Sequence, residues 1–139
     1  MVKQKTCLVI GGYLAFMALT PWLFAADPFA VDVPLAADGI QRASIETDSY
    51  SFSPNHLVVK AGKPVELTFK SVTWLVPHNL VIDDPRSGLT IREEIPAGES
   101  VTVKFTPTAV GSFAIYCDKK LMFFKSHREK GMEGILEVR

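Results

Sequence analysis

The chain has 139 residues, 15 lysines and arginines against 15 acids, and an apolar content of 47%. That length suits one domain rather than two, and a formal charge of zero excludes a protein that holds nucleic acid by bulk electrostatics. No internal repeat or low-complexity segment is present.

The chain opens on MVKQKTCLVIGGYLAFMALTPWLFAAD, in which Lys3 and Lys5 precede an uncharged run from Thr6 to Ala26. This is a targeting element with two readings. A cleaved signal needs an apolar core of about 7–15 residues, whereas a membrane anchor needs about 20. Cleavage after Ala25 or Ala26 would put Leu23 or Phe24 where a small residue is preferred. Residues 1–26 are therefore read as a signal peptide or an N-terminal anchor spanning 6–26. Either reading exports the remainder, to the periplasm or an equivalent compartment. The exported part keeps 13 basic and 15 acidic residues and one cysteine, Cys117. A lone exported thiol cannot form an internal disulfide, so it must be buried, paired with another chain, or bound to a ligand.

Residues 27–42, beginning DPFAVDVPLAADG, show no sustained period and read as a linker or loosely packed lead-in to a domain over 43–139. Short strand-like runs follow: ASIETDSYSF, HLVVKAG, KPVELTFKS, HNLVID, GESVTVKFTP, GSFAIYC and GILEVR. Val65, Leu67 and Phe69 share one face of their run, and Val101, Val103 and Phe105 share one face of theirs, as half-buried strands require. Turn signals at AGK, DDPRSG, PAGE and TAVGS recur every 8–12 residues or so, the spacing of a sandwich or small barrel. Asp118 is placed to cap one helical turn in DKKLMFFK, the only local helical signal. The fold class is all-β, an antiparallel two-sheet sandwich.

His78, Cys117, His127 and Met132 supply two imidazoles, a thiolate and a thioether. That is the donor set of a mononuclear copper site: the sulfur ligands favour Cu(I), imidazole suits both oxidation states, and a weak thioether disfavours zinc. At these residues the sequence resembles the cupredoxin family, the plastocyanin-like and azurin-like blue-copper proteins, over about residues 43–139. The resemblance rests on FSPNHLVVKAGKPVELTF, PHNLVID, PAGESVTVKFTPTAVGSFAIYC and SHREKGMEGILEV. It implies a Greek-key β-sandwich, one type 1 (blue) copper ion on His78, Cys117, His127 and Met132, and one-electron transfer without enzymatic turnover. Two features depart from the family. Nine residues separate Cys117 from His127, where two to four are usual, and Asp118 follows the cysteine where Ser or Thr is common.

The bland alternatives are a buried structural thiol at Cys117, a loop histidine at His127 and a core methionine at Met132. Met122 competes with Met132 as the axial donor, and His56 reads as a surface histidine outside the site. Residues 118–126 are expected to bulge outward, with Leu121, Phe123 and Phe124 folding down as an apolar cover over the copper end. Lys119, Lys120, Lys125, Arg128 and Lys130 form a basic rim at which a redox protein would dock on this exported monomer. The alternative function is a copper-handling protein that binds and delivers Cu(I), or an accessory module of a copper enzyme.

Overall fold

A computed structural model describes residues 29–139, so the expected leader lies outside the described residues. The strands are β1 (Val31–Asp32), β2 (Gln41–Asp48), β3 (Ser51–Ser53), β4 (His56–Val59), β5 (Val65–Ser71), β6 (His78–Asp84), β7 (Leu89–Ile95), β8 (Ser100–Phe105), β9 (Gly111–Tyr116) and β10 (Glu133–Val138). One sheet has the order β1-β4-β10-β9-β6-β7 and the other β3-β2-β5-β8. The all-β sandwich expected from the period-two pattern is present. Val65, Leu67 and Phe69 turn inward with at most 1% exposure, each burial stabilising by about 1.5–3 kcal/mol.

The sheets are mixed rather than purely antiparallel. β1 with β4, β4 with β10, and β2 with β5 pair in parallel. Between β2 and β5 the chain crosses to the other sheet through β4, so β5 re-enters in the direction of β2. The described part of the expected lead-in is tied to the domain: β1 lies on β4, Val33 is buried, and Gln41 opens β2 with its amide bonded to Lys60. β7 is a strand the sequence pattern did not reveal. Its LTIREEI buries only Leu89 and Ile95 at its ends, and its charged centre reflects an edge position beside β6.

One close approach fixes the last strand. The Ile135 N–H donates to Asn55 O at 2.7 Å, and a Cβ at Gly134 would collide with that carbonyl. Only glycine lets β10 lie against the turn before β4. Among the described residues no helix is long and apolar enough to cross a membrane.

Candidate metal centre

Strand ends gather the chemistry at one end of the sandwich. His78 is the first residue of β6, Cys117 follows the last residue of β9, and Met132 immediately precedes β10. His78, Cys117 and Met132 are fully buried and His127 is 7% exposed. The ligand-type atoms of His78, Cys117 and His127 all lie within 4.8 Å of one another. Residues separated by 39 positions, 78 and 117, meet because β6 and β9 are neighbours in the sheet.

The polar atoms around the cluster leave donor atoms that could hold a metal ion. The Cys117 sulfur lies 3.3 Å from His127 Nδ1 and accepts the Asn79 backbone N–H at 3.4 Å. Thr73 Oγ1 donates to Val76 O at 2.7 Å, which leaves its oxygen to accept from His78 Nε2 at 3.4 Å. That assignment puts the proton of His78 on Nε2 and the lone pair on Nδ1. Nδ1 of His78 is buried with no hydrogen-bond partner, an arrangement costly in an empty core and natural for a ligand. Burial, with the neighbouring His127, pushes the His78 imidazole down to about 4. Burial also lowers His127, helped by Lys130 and Lys119, so both rings are neutral donors at pH 7. Burial pushes the Cys117 thiol up, so occupancy must displace a proton.

The long loop is pinched off. His127 N–H donates to Lys119 O at 2.8 Å, so residues 120–126 loop outward from a backbone already closed beneath them. The Met132 N–H then donates to His127 O at 3.0 Å, and the Cys117 N–H to Met132 O at 3.1 Å. These three bonds lock the segments carrying Cys117, His127 and Met132 together. At the start of the 3-10 turn Arg128–Lys130, the Ser126 N–H donates to Glu129 Oε2 at 2.6 Å and the Glu129 N–H donates to Ser126 Oγ at 3.2 Å.

The insertion bulges outward as expected, but its apolar residues do not form the cover. Leu121, Met122, Phe123 and Phe124 are 67, 70, 94 and 62% exposed. A turn closed by Phe124 N–H on Leu121 O, with Met122 at φ 45°, aims them away from the core. The His127 ring is shielded instead by Tyr50, whose centroid lies 4.7 Å away. No helical turn starts at Asp118 either, because its carboxylate is engaged by Asn79 and Arg92. His56 is not a surface residue: it is buried to 9% exposure and its Nε2 lies 3.1 Å from Glu137, outside the cluster.

Sequence reasoning missed Tyr50, Thr73 and Arg92. None carries a motif, and each reaches the site only through the packing of its loop or strand. The rim is also more engaged than a row of free lysines. Lys119 pairs with Glu94, Arg128 pairs with Glu133 and lies 4.0 Å over the Tyr116 ring, and Lys130 lies 4.0 Å over Tyr50.

Among solved structures, the metal-binding domain of the Cu(I)-exporting P-type ATPase CopA of Streptococcus pneumoniae D39 is similar, with a TM-score of 0.60 and 23% identity over 79% of this chain and 95% of that one. Auracyanin A, a "blue" copper protein from Chloroflexus aurantiacus, has a TM-score of 0.58 and 19% identity over 73% of this chain and 100% of its own. Reduced rusticyanin has a TM-score of 0.59 and 16% identity over 82% of this chain and 87% of its own. Identities this low speak for the shared fold alone. None of the curated proteins matches the sequence. The profile of the cupredoxin-like domain matches residues 14–131, most of the length. With its two-sheet sandwich and its strand-end cluster of histidines and cysteine, the chain belongs to the cupredoxin-like domain family.

Proposed function

We propose that this chain is an exported type 1 copper protein that carries single electrons between redox partners, with one copper ion held by His78, Cys117, His127 and Met132. The observation that carries the reading is the buried convergence of His78, Cys117 and His127 within 4.8 Å. Met132 is fully buried in the core cluster that includes Cys117, whereas Met122 is 70% exposed, which favours Met132 as the thioether donor. Copper bound by these donors supplies a one-electron Cu(I)/Cu(II) couple.

The residues do the rest. Neutral His78 and His127 offer lone pairs, and the Asn79 N–H supports the charge left on Cys117 when its proton leaves. Anchoring at strand ends, together with the Lys119–His127–Met132–Cys117 bonds, limits rearrangement of the donors, as a carrier needs. Four donors leave no open position for a substrate, so we read the chain as a carrier and not an enzyme.

The partner is read as a redox protein with an acidic rim, docking on the exported monomer where His127 meets the surface. There a groove of about 440 Å³ is lined by Leu75, Pro77, Leu121 and Phe124 together with Lys119, Lys120 and Lys130. Lys125 and Arg128, the other two cations of the proposed basic rim, are not in its lining, and Arg128 lies over Tyr116.

A second reading, Cu(I) binding and delivery or service as a module of a copper enzyme, is favoured by one observation. The groove is walled by His127 and Tyr50 and no apolar flap closes it, so His127 is the donor nearest to solvent. The visible spectrum of the Cu(II)-loaded protein separates the two. An intense thiolate-to-copper band, abolished in Cys117→Ser, is the expected result. A colourless complex, bound with full affinity by Cys117→Ser, would defeat the carrier reading.

A further inference from the structure

A charged clasp joins the backbone beside the thiol to two neighbouring strands. Asn79 on β6 accepts the Asp118 N–H on Oδ1 at 3.1 Å and donates Nδ2 to Asp118 Oδ1 at 2.8 Å. The backbone N–H of the same asparagine donates to Cys117 Sγ at 3.4 Å. One residue of β6 thus holds both the sulfur and the residue that follows it. On the edge strand β7, Arg92 lies opposite Val81 of β6, and its Nη1 meets Asp118 Oδ2 at 2.8 Å. Lys119, the residue after Asp118, is engaged with Glu94.

A serine or threonine after the cysteine could provide the amide half of this clasp. It could not bring a charge. Asp118 places a full negative charge one residue from the sulfur, and Arg92 sits where it offsets that charge. Side-chain exposures of 58% for Arg92 and 40% for Asp118 make the pair a weak contributor to stability. Its field at the adjacent thiolate is a different matter, because a carboxylate there favours the more positive metal state and a guanidinium opposes it.

We propose that Asp118 and Arg92 form an electrostatic trim on the copper couple, the carboxylate lowering the reduction potential and the arginine cancelling part of that effect, while Asn79 holds both in register with Cys117. The proposal rests on the reading of Cys117 as a copper ligand. Asp118 and Arg92 are positioning residues in this scheme and touch neither the metal nor the partner.

The test is redox titration of the copper-loaded full chain. Asp118→Asn keeps an amide for Asn79 and removes the charge, so its potential rises. Arg92→Gln unmasks the carboxylate, so its potential falls, and Arg92→Lys restores most of the loss. Each shift corresponds to at most roughly a tenfold change in the Cu(II)/Cu(I) affinity ratio, ~59 mV for one electron. Arg86→Gln, which removes an exposed arginine at the far end of the same hairpin, is the control for bulk charge and shifts the potential less. Asp118→Ser is a second charge-removing variant should Asp118→Asn misfold. Equal shifts for Arg92→Gln and Arg86→Gln, or shifts of one sign for Arg92→Gln and Asp118→Asn, would overturn the trim. The clasp has a readout without copper: the Asp118 amide exchanges slowly with solvent in the metal-free chain and rapidly in Asn79→Ala. Equal exchange in the two would overturn it, whereas a wild-type chain that takes up no copper would defeat the functional reading and leave the exchange test standing.

Discussion

Deleting residues 120–126 should leave copper binding intact, because the hydrogen bond from His127 N–H to Lys119 O already closes the backbone beneath them. The deletion joins Lys119 to His127 and leaves two residues, Asp118 and Lys119, between the cysteine and the histidine. A peptide bond then replaces a 2.8 Å N–H···O contact, so the local backbone need close by only about 2–3 Å. Shortening the connection from nine residues to two lowers the loop-closure cost by about 1.3 kcal/mol. Against this, removing Ser126 takes its hydroxyl away from the Glu129 N–H, a loss of about 0.5–1.5 kcal/mol. The two effects nearly cancel, and the four exposed large residues Leu121, Met122, Phe123 and Phe124 contribute little burial to lose. Expected results are a melting temperature within a few degrees of the parent, an unchanged thiolate-to-copper band and copper affinity within about threefold, by competitive titration. Electron transfer to a partner should slow and change its salt dependence, since the groove wall and two lysines are gone. A deletion variant that keeps its sheet signature but loses copper would refute the pinched-loop argument and show that the insertion itself shapes the site.

His127→Ala should erase or displace the visible band, whereas His56→Ala should lower stability through its lost contact with Glu137 and leave the band in place; absorption spectra and melts of both variants decide it. Gly134→Ala should destabilise by about 1–3 kcal/mol or more, because its Cβ must displace the Asn55 carbonyl that anchors β10, and chemical denaturation would measure the loss. The metal-free protein should be less stable in mild acid. The folded His78 sits near 4 against an ordinary 6.5, so the unfolded chain takes the proton first and stability is lost as pH falls from 6.5 to about 4. The full effect is up to about 3 kcal/mol, and denaturation midpoints that stay level over that interval would contradict it.

Much of this protein is written in local pattern. Alternation at Val65, Leu67 and Phe69 is enough to make a half-buried strand, since side chains of an extended chain change face at every residue. The candidate donors were also legible, because Cys117 is followed by a histidine and a methionine, and the fold brings that cysteine and His127 together with His78. Which sheet a strand joins is not local. Parallel pairing of β2 with β5 and of β4 with β10 follows from where the chain crosses between sheets, and no period in the sequence encodes a crossing. The edge strand β7 escaped notice for a related reason: with solvent over most of its length it has no alternating apolar signature to display. At the site, only tertiary structure could bring His78 to Cys117, close the nine-residue gap with one hydrogen bond and turn Leu121 to Phe124 outward. Apolar side chains are hidden only where a surface closes over them, and the turn at 121–124 leaves Leu121 and Phe124 as the wall of an open groove and Phe123 94% exposed. Arg92 became part of the site in the same way, through a strand register that set it beside Asp118.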